Sequence, residues 1–467
     1  MARKVDVAII GAGSAGVTAL YTLLRAKKSV VLINSGPEGT TCARVGCMPS
    51  KALIETASLY HNRGRQEMFG LRGTEHLSVD GPAVMARVRA IRDQLVGGFI
   101  TRTHKHLDET QFIDGHAKIL APDCVEVNGE KITCDAILIA TGSAPILPPP
   151  FRALGDALLT TDTLFEEPDL PKSLAVVGLG VIGCEIGQAM GRLGVEVHGF
   201  DAAPVIAGIK DPVVAEAAAE WLGRDMAITT GTLVEPRREA DGSVTIQAGE
   251  KSVTVERVLA SIGRRPNIDG LGLENLGVAL DDHGMPAYDP ETLQIGDLPV
   301  YFTGDVNADR PLLHEAKDEG KIAALNIIAG TRTAFRRRVP LGVAFTAPQI
   351  ATVGAGFDTL DPEVTAVGKA SAQNNGRSKV KAELAGMIRI YADKSSLKLL
   401  GATLAISDGE HMAHWLALAI EQGMTIDACL ETPFYHPVLE ETLQDALMDC
   451  LANSGHKLPH PPGLTPV

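Results

Sequence analysis

The chain has 467 residues, which is too long for a single hydrophobic core, so roughly two to four domains are expected. An apolar fraction of 45% predicts a well-packed globular protein, and a net charge of −14 argues against nucleic acid or an anionic membrane as a partner. The seven cysteines are too widely scattered for a disulfide-stapled secreted domain. We expect a cytoplasmic protein without signal peptide or transmembrane helix, because a strand begins almost at once and no apolar run reaches about 18 residues.

The first predicted unit is a strand at 5–10, a glycine-rich turn, a helix and a second strand at 29–33. The turn has the dinucleotide-binding spacing G-x-G-x-x-G, with glycines at Gly11, Gly13 and Gly16. In such turns the first glycine allows the tight bend and the second lets a pyrophosphate approach the backbone. The third lets the helix pack on the strand, with its N-terminus facing the anion. A glycine-rich turn without a ligand is the alternative.

Two cysteines, Cys42 and Cys47, follow this unit closely enough to lie beside a bound cofactor. In a regular helix, residues five apart rise about 7.5 Å along the axis, whereas a disulfide needs Cα atoms within roughly 4.4–6.8 Å of each other. A disulfide between them therefore requires a distorted turn, which Gly46 permits. We interpret the pair as a redox dithiol; two unrelated buried thiols are the alternative.

The second predicted unit repeats the pattern, with a strand at 174–177, a glycine-rich turn, a helix and a strand at 195–200. Its turn places Gly178, Gly180 and Gly183 at the same three glycine positions. Two such turns, each between a strand and a helix, are a much stronger indication of dinucleotide binding than one.

The residue that ends the second strand of each unit should bind a ribose hydroxyl. The second unit ends in Asp201, with no Lys or Arg directly after it. This favours NAD over NADP, because a 2′-phosphate would need a cation there. The first unit ends in Asn34, whose amide oxygen accepts such a bond more weakly than a carboxylate does.

Further buried strands are predicted beyond these units. Two of them, at 135–143 and 259–263, each lead into a turn. A third strand, at 300–305, ends on an acid and is followed by a helix over 313–328. From about Pro340 the pattern changes to strands at 343–353, 387–392 and 397–406 and helices at 410–422 and 439–452. This change indicates a separate α+β domain, and the tail at 453–467 is predicted to be irregular.

With these features the chain resembles the class I pyridine nucleotide–disulfide oxidoreductases, and within them the dihydrolipoamide dehydrogenases. The matching motifs are GAGSAG at 11–16, CARVGCMPSK at 42–51, ATGSAP at 140–145, GLGVIGCE at 178–185, IGRRPN at 262–267, FTGD at 302–305 and HPVLEE at 436–441. The resemblance implies an α/β fold with two Rossmann-like dinucleotide-binding domains and a C-terminal α+β dimerisation domain. The implied boundaries are an FAD-binding domain at 1–149, an NAD-binding domain at 150–269, a second FAD-binding or central part at 270–339 and a dimerisation domain at 340–467.

The resemblance also implies FAD and NAD as cofactors, with no metal. The residues implied for FAD are Gly11, Gly13, Ser14, Ala15, Gly16, Asn34, Thr41, Lys51, Ala117, Thr141, Gly142, Gly304, Asp305 and Leu313. Those implied for NAD are Gly178, Gly180, Val181, Ile182, Gly183, Asp201 and Gly263.

For catalysis, the resemblance places Cys47 against the flavin as the charge-transfer thiol and gives Cys42 the disulfide interchange with substrate. It brings Lys51 towards the flavin, paired with Glu185 of the second unit. It also makes His436 of the partner subunit the general base, so that each active site requires a homodimer.

A base is needed on chemical grounds as well, because a dithiol attacks as its thiolate and an ordinary thiol pKa is near 8.5. Histidine suits that role near neutral pH. Since Pro437 is of a type favoured at the first helical position, we expect His436 to project from a helix start. Glu440 or Glu441, about one turn on, would orient the ring, and the resemblance favours Glu441. A histidine with no catalytic role is the alternative.

Thr40, Arg44 and Asn34 depart from the family pattern. Arg44 lies between the two cysteines, where a guanidinium would favour the thiolate, lower the cysteine pKa and make the dithiol couple more oxidising. Alternatively, Arg44 points to solvent or forms a salt bridge with an FAD phosphate. Cys184, within the second unit's helix, is predicted to be a small core residue.

The expected activity is oxidation of a dihydrolipoyl group, on a carrier protein or a small dithiol, with reduction of NAD. An NAD(P)H-dependent reductase of another small disulfide or polysulfide is the alternative enzyme. A redox-silent flavoprotein that acts as a docking subunit is the alternative from another class, and the intact Cys42, Cys47 and His436 argue against it.

Overall fold

The structure is a computed structural model that describes residues 3–458, 460–461 and 463–464. The predicted irregular tail at 453–467 therefore lies partly outside the described residues, and its first two residues belong to the last helix.

The described chain contains β-strands and α-helices throughout. The strands are β1 (Arg3–Ile10), β2 (Val30–Asn34), β3 (Phe112–Asp114), β4 (Ala117–Ala121), β5 (Cys124–Val127), β6 (Glu130–Ile139), β7 (Ser143–Pro145), β8 (Leu158–Leu159), β9 (Ser173–Val177), β10 (Glu196–Phe200), β11 (Ala227–Thr229), β12 (Val234–Arg238), β13 (Val244–Ala248), β14 (Lys251–Val255), β15 (Arg257–Ala260), β16 (Arg264–Pro266), β17 (Val300–Phe302), β18 (Leu341–Ala344), β19 (Gln349–Gly354), β20 (Thr365–Ser371), β21 (Met387–Asp393) and β22 (Leu399–Ile406). The α-helices are α1 (Ser14–Arg25), α2 (Thr41–Val45), α3 (Cys47–His61), α4 (Arg63–Gln66), α5 (Gly81–His104), α6 (Pro149–Arg152), α7 (Thr161–Leu164), α8 (Val181–Arg192), α9 (Pro212–Leu222), α10 (Leu313–Ala329), α11 (Gly376–Lys381), α12 (Gly409–Glu421), α13 (Ile426–Leu430) and α14 (Glu441–Ser454).

The chain divides into two compact units, each assembled from three segments. Unit 1 consists of Met1–Pro49, Ala86–Ile146 and Gly263–Arg337. Unit 2 consists of Ser50–Met85, Leu147–Ile262 and Arg338–Val467.

Unit 1 contains a sheet in the order β3-β2-β1-β6-β5-β4, with β17 paired to β6. Strands β1, β2, β3, β6 and β17 run parallel, so the carboxyl ends of β1, β2, β6 and β17 meet at one edge. Both faces of the sheet are buried: Val7 and Ile9 lie in one apolar cluster, and Ala8 and Ile10 in another. Helices α1 and α10 cover one face in very close contact, since a Cβ on Gly320 would lie 2.2 Å from the Ala15 carbonyl oxygen.

Unit 2 contains a parallel sheet in the order β11-β10-β9-β15-β8 and a separate antiparallel sheet in the order β18-β19-β22-β21-β20. The second sheet packs its apolar face against α12, α13 and α14. This is the predicted C-terminal α+β region.

One prediction in that region was wrong, and one strand was missed. The single strand predicted at 343–353 is two strands, β18 and β19, joined by a turn at 345–348 in which Pro348 has no N–H to give to a ladder. Strand β20 was not predicted, because its sequence is small and partly polar. Its Gly368 lets α14 approach so closely that a Cβ there would lie 2.1 Å from the Ala446 carbonyl oxygen.

Among the described residues, no helix is both long and apolar enough to cross a membrane.

Candidate active site

The first glycine-rich loop, 11–16, connects β1 to α1. Gly11 has a φ of +108°, and a Cβ on it would lie 2.2 Å from the Ala140 carbonyl oxygen, so glycine is required for both conformation and space. A Cβ on Gly16 would lie 2.0 Å from the Gly11 carbonyl oxygen. Gly13, in contrast, faces open space, since the nearest neighbour of a Cβ there would be the Ala140 oxygen at 3.9 Å. The first and third glycines therefore serve packing, and the second leaves room for a ligand.

The second loop, 178–183, connects β9 to α8 and has the same division of roles. Gly178 has a φ of +94°, and a Cβ on it would lie 2.4 Å from the Ser261 carbonyl oxygen. A Cβ on Gly183 would lie 1.9 Å from the Gly178 carbonyl oxygen, whereas a Cβ on Gly180 would have no neighbour within 4 Å. No side chain caps the N-terminus of α1 or α8, so backbone N–H groups there can bind an anion.

The residues that end the second strands are both bonded to their own loop. The Asn34 Oδ1 atom accepts a hydrogen bond of 3.1 Å from the Ala12 N–H. Asp201 Oδ2 accepts one of 2.6 Å from the Leu179 N–H, and Oδ1 accepts one of 2.7 Å from the Ala203 N–H. Each side chain is thereby fixed at the carboxyl edge of its sheet, where a ribose hydroxyl would lie.

The other residues implied for the first nucleotide lie on neighbouring strands of unit 1. Ser143 donates a hydrogen bond of 3.1 Å to Asp305 Oδ2, and Arg264 Nε donates one of 2.8 Å to Ser143 Oγ. Thr141 Oγ1 donates a 2.7 Å bond to the Asn267 carbonyl. The remaining positions are the Gly142 carbonyl, which accepts a bond from the Asn267 N–H, buried Ala117 at the start of β4 and exposed Leu313 at the start of α10. Gly263, which the resemblance implies for NAD, also lies in unit 1, where its carbonyl accepts a hydrogen bond from the Ile146 N–H.

A buried acid that the sequence analysis missed supports the turn that carries Asp305. Glu319 on α10 accepts hydrogen bonds of 2.6 Å from the Gly304 N–H and 2.8 Å from Asn307 Nδ2. Arg337 Nη2 lies 2.9 Å from its other oxygen. Burial raises the pKa of Glu319 against the opposing effect of these donors. No local pattern indicates this contact, since Glu319 follows Gly304 by 15 residues.

Cys42 and Cys47 form a disulfide with a Cα–Cα distance of 4.7 Å. The predicted distorted turn is present: α2 ends at Val45, the next residue Gly46 has a non-helical φ of −128° and ψ of −114°, and α3 begins at Cys47. A Cβ on Gly46 would lie 3.1 Å from the Thr41 carbonyl oxygen. Thr40 starts the turn, because its Oγ1 accepts a hydrogen bond of 3.0 Å from the Ala43 N–H.

Lys51 and Glu185, which are 134 positions apart, form an ion pair in unit 2. Lys51 Nζ lies 2.9 and 2.8 Å from the two oxygens of Glu185, whose side chain is only 4% exposed. Glu185 also accepts a hydrogen bond of 2.8 Å from the Phe345 N–H, and the Lys51 ammonium lies 4.5 Å from the centre of the Phe345 ring. Phe345 was missed, because only the tertiary fold brings the turn after β18 to these two helices.

Gln188, one helical turn after Glu185, fixes the same turn. Its side chain exchanges two hydrogen bonds, of 2.8 and 2.7 Å, with the backbone of Ala347. The helix that follows the second loop is thereby bonded to the residues that surround Lys51.

His436 and Glu441 form the predicted pair. His436 Nδ1 lies 2.8 Å from Glu441 Oε1, and the Val438 N–H donates a bond of 3.1 Å to Oε2. The hydrogen bond from His436 is the main cause that lowers the pKa of Glu441. The His436 side chain is 77% exposed, so its Nε2 is open to a reaction partner. The prediction that Pro437 begins a helix was wrong: α14 begins at Glu441, and the carboxylate at its first turn holds the ring.

The four buried free cysteines among the described residues are poor nucleophiles. Burial raises the pKa of the Cys184 thiol to about 12, and the pKa values of Cys134, Cys429 and Cys450 are raised to about 12 as well. The predicted core position of Cys184 is confirmed. Thiols with such pKa values are almost entirely protonated near neutral pH and do not act as nucleophiles.

Comparisons with known proteins agree with this geometry. A family model described as pyridine nucleotide-disulphide oxidoreductase matches residues 5–320, and a model of the dimerisation domain of these enzymes matches 341–447. The chain belongs to the pyridine nucleotide-disulphide oxidoreductases. The predicted fold class and family are confirmed, and the dimerisation domain supports a homodimer.

Curated relatives and solved structures of this family cover almost the whole chain. The dihydrolipoyl dehydrogenase of Trypanosoma brucei brucei is 31% identical over 96% of this chain and 97% of its own, and that of Thermus scotoductus is 30% identical over 95% and 97%. Among solved structures, the HOCl-induced flavoprotein disulfide reductase RclA from Escherichia coli matches with a TM-score of 0.82 at 22% identity, over 95% of this chain and 99% of its own. LpdA from Mycobacterium tuberculosis matches with a TM-score of 0.83 at 23% identity over the same shares.

The cofactors of a pyridine nucleotide-disulphide oxidoreductase are FAD and NAD(H), as predicted. The residues present fit two dinucleotides, because each loop combines an open second glycine, an uncapped helix N-terminus and a fixed acceptor at the strand end. When bound, FAD supplies two-electron transfer between a dithiol and a nicotinamide.

Proposed function

We propose that the chain is a dihydrolipoyl dehydrogenase. In this reaction a dihydrolipoyl dithiol loses two electrons and two protons and becomes a disulfide, while NAD+ accepts a hydride and one proton is released. The observation that carries the proposal is the Cys42–Cys47 disulfide in the interrupted helix directly after the first nucleotide loop. Whole-length similarity to dihydrolipoyl dehydrogenases, at 31% and 30% identity, supports the substrate class.

The roles follow from the chemistry of each group. A substrate thiolate attacks Cys42, which breaks the Cys42–Cys47 bond and releases the Cys47 thiolate. The second substrate thiolate then attacks the substrate sulfur of the mixed disulfide and releases the Cys42 thiolate, so that the substrate leaves as a disulfide and both enzyme cysteines are reduced. His436 of the partner subunit accepts a substrate proton, and Glu441 stabilises the imidazolium that forms. Cys47 would be the thiol that lies against the flavin, and Lys51, held by Glu185, would place a positive charge on the helix that begins at that cysteine. We propose Asp201 as the ribose ligand that selects NAD.

The proposal also includes the carrier and the location. A lipoyl-bearing carrier protein or a small dithiol is the substrate, and the active form is a homodimer. We propose a cytoplasmic location, since a close cysteine pair that cycles between disulfide and dithiol suits a reducing compartment.

The test measures NADH formation by the FAD-loaded homodimer with dihydrolipoamide and, separately, with reduced glutathione. We expect turnover with dihydrolipoamide only, and none after Cys42→Ser or Cys47→Ser. His436→Ala should lower kcat by about 10²- to 10⁴-fold if this residue is the general base. A Cys184→Ser variant is the matched control, because that buried thiol has no role in the reaction and should leave kcat unchanged.

Two results would contradict the proposal. Glutathione oxidised as fast as dihydrolipoamide would remove the substrate assignment. A His436→Ala variant with normal kcat and full flavin content would remove the base.

A further inference from the structure

Arg44 is a half-buried cation whose side chain has no partner in the described part of the chain. It lies in α2, three residues after Thr41 and between the two cysteines. Its Nε atom is buried without a hydrogen-bond acceptor, and its guanidinium takes part in no ion pair among the described residues. Partial removal of a guanidinium from water without a compensating anion is unfavourable. Such a group at this place indicates a ligand.

Two other arginines with a buried, unpaired Nε show the usual solution. Arg65 uses its terminal nitrogens on Glu383 at 3.1 Å, on Asn62 and on two backbone carbonyls. Arg337 uses Nη2 on two buried carboxylates. In both residues a carboxylate of the protein neutralises the guanidinium charge, although the Nε atom makes no hydrogen bond. No acid among the described residues pairs with Arg44, so its charge is not neutralised in this way.

The position of Arg44 in α2 shows on which face of the helix it lies. Successive residues in a helix turn by about 100°, so residues three apart share a face and residues two apart do not. Arg44 therefore lies on the face of Thr41 and away from Cys42. This placement does not favour the hypothesis of thiolate stabilisation as far as Cys42 is concerned; Cys47 lies beyond the break at Gly46, where the helix argument does not apply.

Helix α2, which carries Thr41 and Arg44, belongs to a segment that follows the carboxyl edge of the unit 1 sheet in the chain. The segment begins where β2 ends at Asn34, whose side chain is bonded to the first loop through Ala12. Buried Thr40 then starts α2. The segment thus runs from a strand end that is bonded to the first dinucleotide loop to an arginine without a partner among the described residues.

We propose that Arg44 binds a phosphate-type anion on the Thr41 face of α2. Two sources carry that chemistry: the diphosphate of FAD, and a free or substrate-borne phosphate. Arginine suits either, because its planar fork of donors matches the oxygens of a phosphate group. The inference rests on the family's cofactor and not on the lipoyl substrate, so the two proposals can fail independently.

The test is a titration of the apoprotein with FAD, followed by flavin fluorescence and without turnover. We expect Arg44→Met to weaken FAD binding by about tenfold or more, and Arg44→Lys to recover most of the loss. Arg25→Met removes an equal charge from an exposed position of unit 1 and should have no effect. Riboflavin, which has no diphosphate, should bind the parent protein and Arg44→Met equally.

The second arm separates the sources. If FAD affinity is unchanged but inorganic phosphate raises the unfolding temperature of the parent protein and not of Arg44→Met, the site takes free or substrate-borne phosphate. The proposal is overturned if neither FAD affinity nor the phosphate response changes in Arg44→Met and Arg44→Lys. A rise in the pKa of the reduced dithiol as the sole effect would overturn it in favour of thiolate stabilisation.

Discussion

The loops at 11–16 and 178–183 have nearly the same packing, although they lie in different units of the molecule. In each, the first glycine has a positive φ and contacts a carbonyl at the end of a neighbouring parallel strand, and the third contacts the carbonyl of the first. In each, the middle glycine faces open space. The backbone requirements of a dinucleotide turn are therefore met independently of the side chains around it.

The two loops differ at the strand end. Asn34 offers an uncharged oxygen at 3.1 Å from its loop amide and also donates to the Gly36 carbonyl, whereas Asp201 offers a carboxylate at 2.6 Å. A charged acceptor makes stronger hydrogen bonds than an amide oxygen. We therefore expect each turn to create a nucleotide site, and the side chain at the strand end to adjust which nucleotide it binds and how strongly.

The largest effect should come from the third glycines. Gly16→Ala and Gly183→Ala place a methyl group 2.0 and 1.9 Å, respectively, from a backbone oxygen. We expect each change to destabilise the protein by about 3 kcal/mol or more, because neither the oxygen nor the helix can move away cheaply. Thermal unfolding measures this. Gly13→Ala and Gly180→Ala are the controls; an equal loss of stability there would contradict the division between packing and ligand-facing glycines.

A smaller effect should separate the two loops by ligand. Gly13→Ala should weaken FAD binding and Gly180→Ala should weaken NADH binding, each by about 10- to 100-fold and with near-normal thermal stability, because the methyl group enters the space of a phosphate. Flavin fluorescence and NADH titration measure the two affinities. A Gly180→Ala variant that loses FAD would break the assignment of cofactors to loops.

The smallest effect concerns the strand ends. Asp201→Asn converts the second site to the side-chain type of the first and should raise the KM for NAD by about three- to tenfold, since it loses a charge-assisted bond. Steady-state kinetics at saturating dithiol measure the change. Asp201→Glu keeps the charge and should lie between the two, whereas an unchanged KM in Asp201→Asn would show that the carboxylate serves only to fix the loop.

Local features of the site could be predicted from sequence. The glycine spacing, the need for a break at Gly46 and the strand-end positions of Asn34 and Asp201 follow from backbone geometry over a few residues. The helix predicted at 439–452 is present as α14, but the expectation that a helix starts at Pro437 was wrong. A local preference for proline at a helix start did not decide where α14 begins, and the carboxylate of Glu441 at its first turn holds His436 instead.

By itself, the sequence determined that two dinucleotide turns and a dithiol occur in one chain, because those features depend on neighbouring residues. Only the tertiary structure decided that Phe345 joins Lys51 and Glu185, that Glu319 holds the turn of Asp305, and that Arg44 lacks a partner among the described residues. Contacts across many residues depend on how helices and sheets pack. A side chain's charge and spacing therefore do not reveal which partner it meets, or whether it meets one.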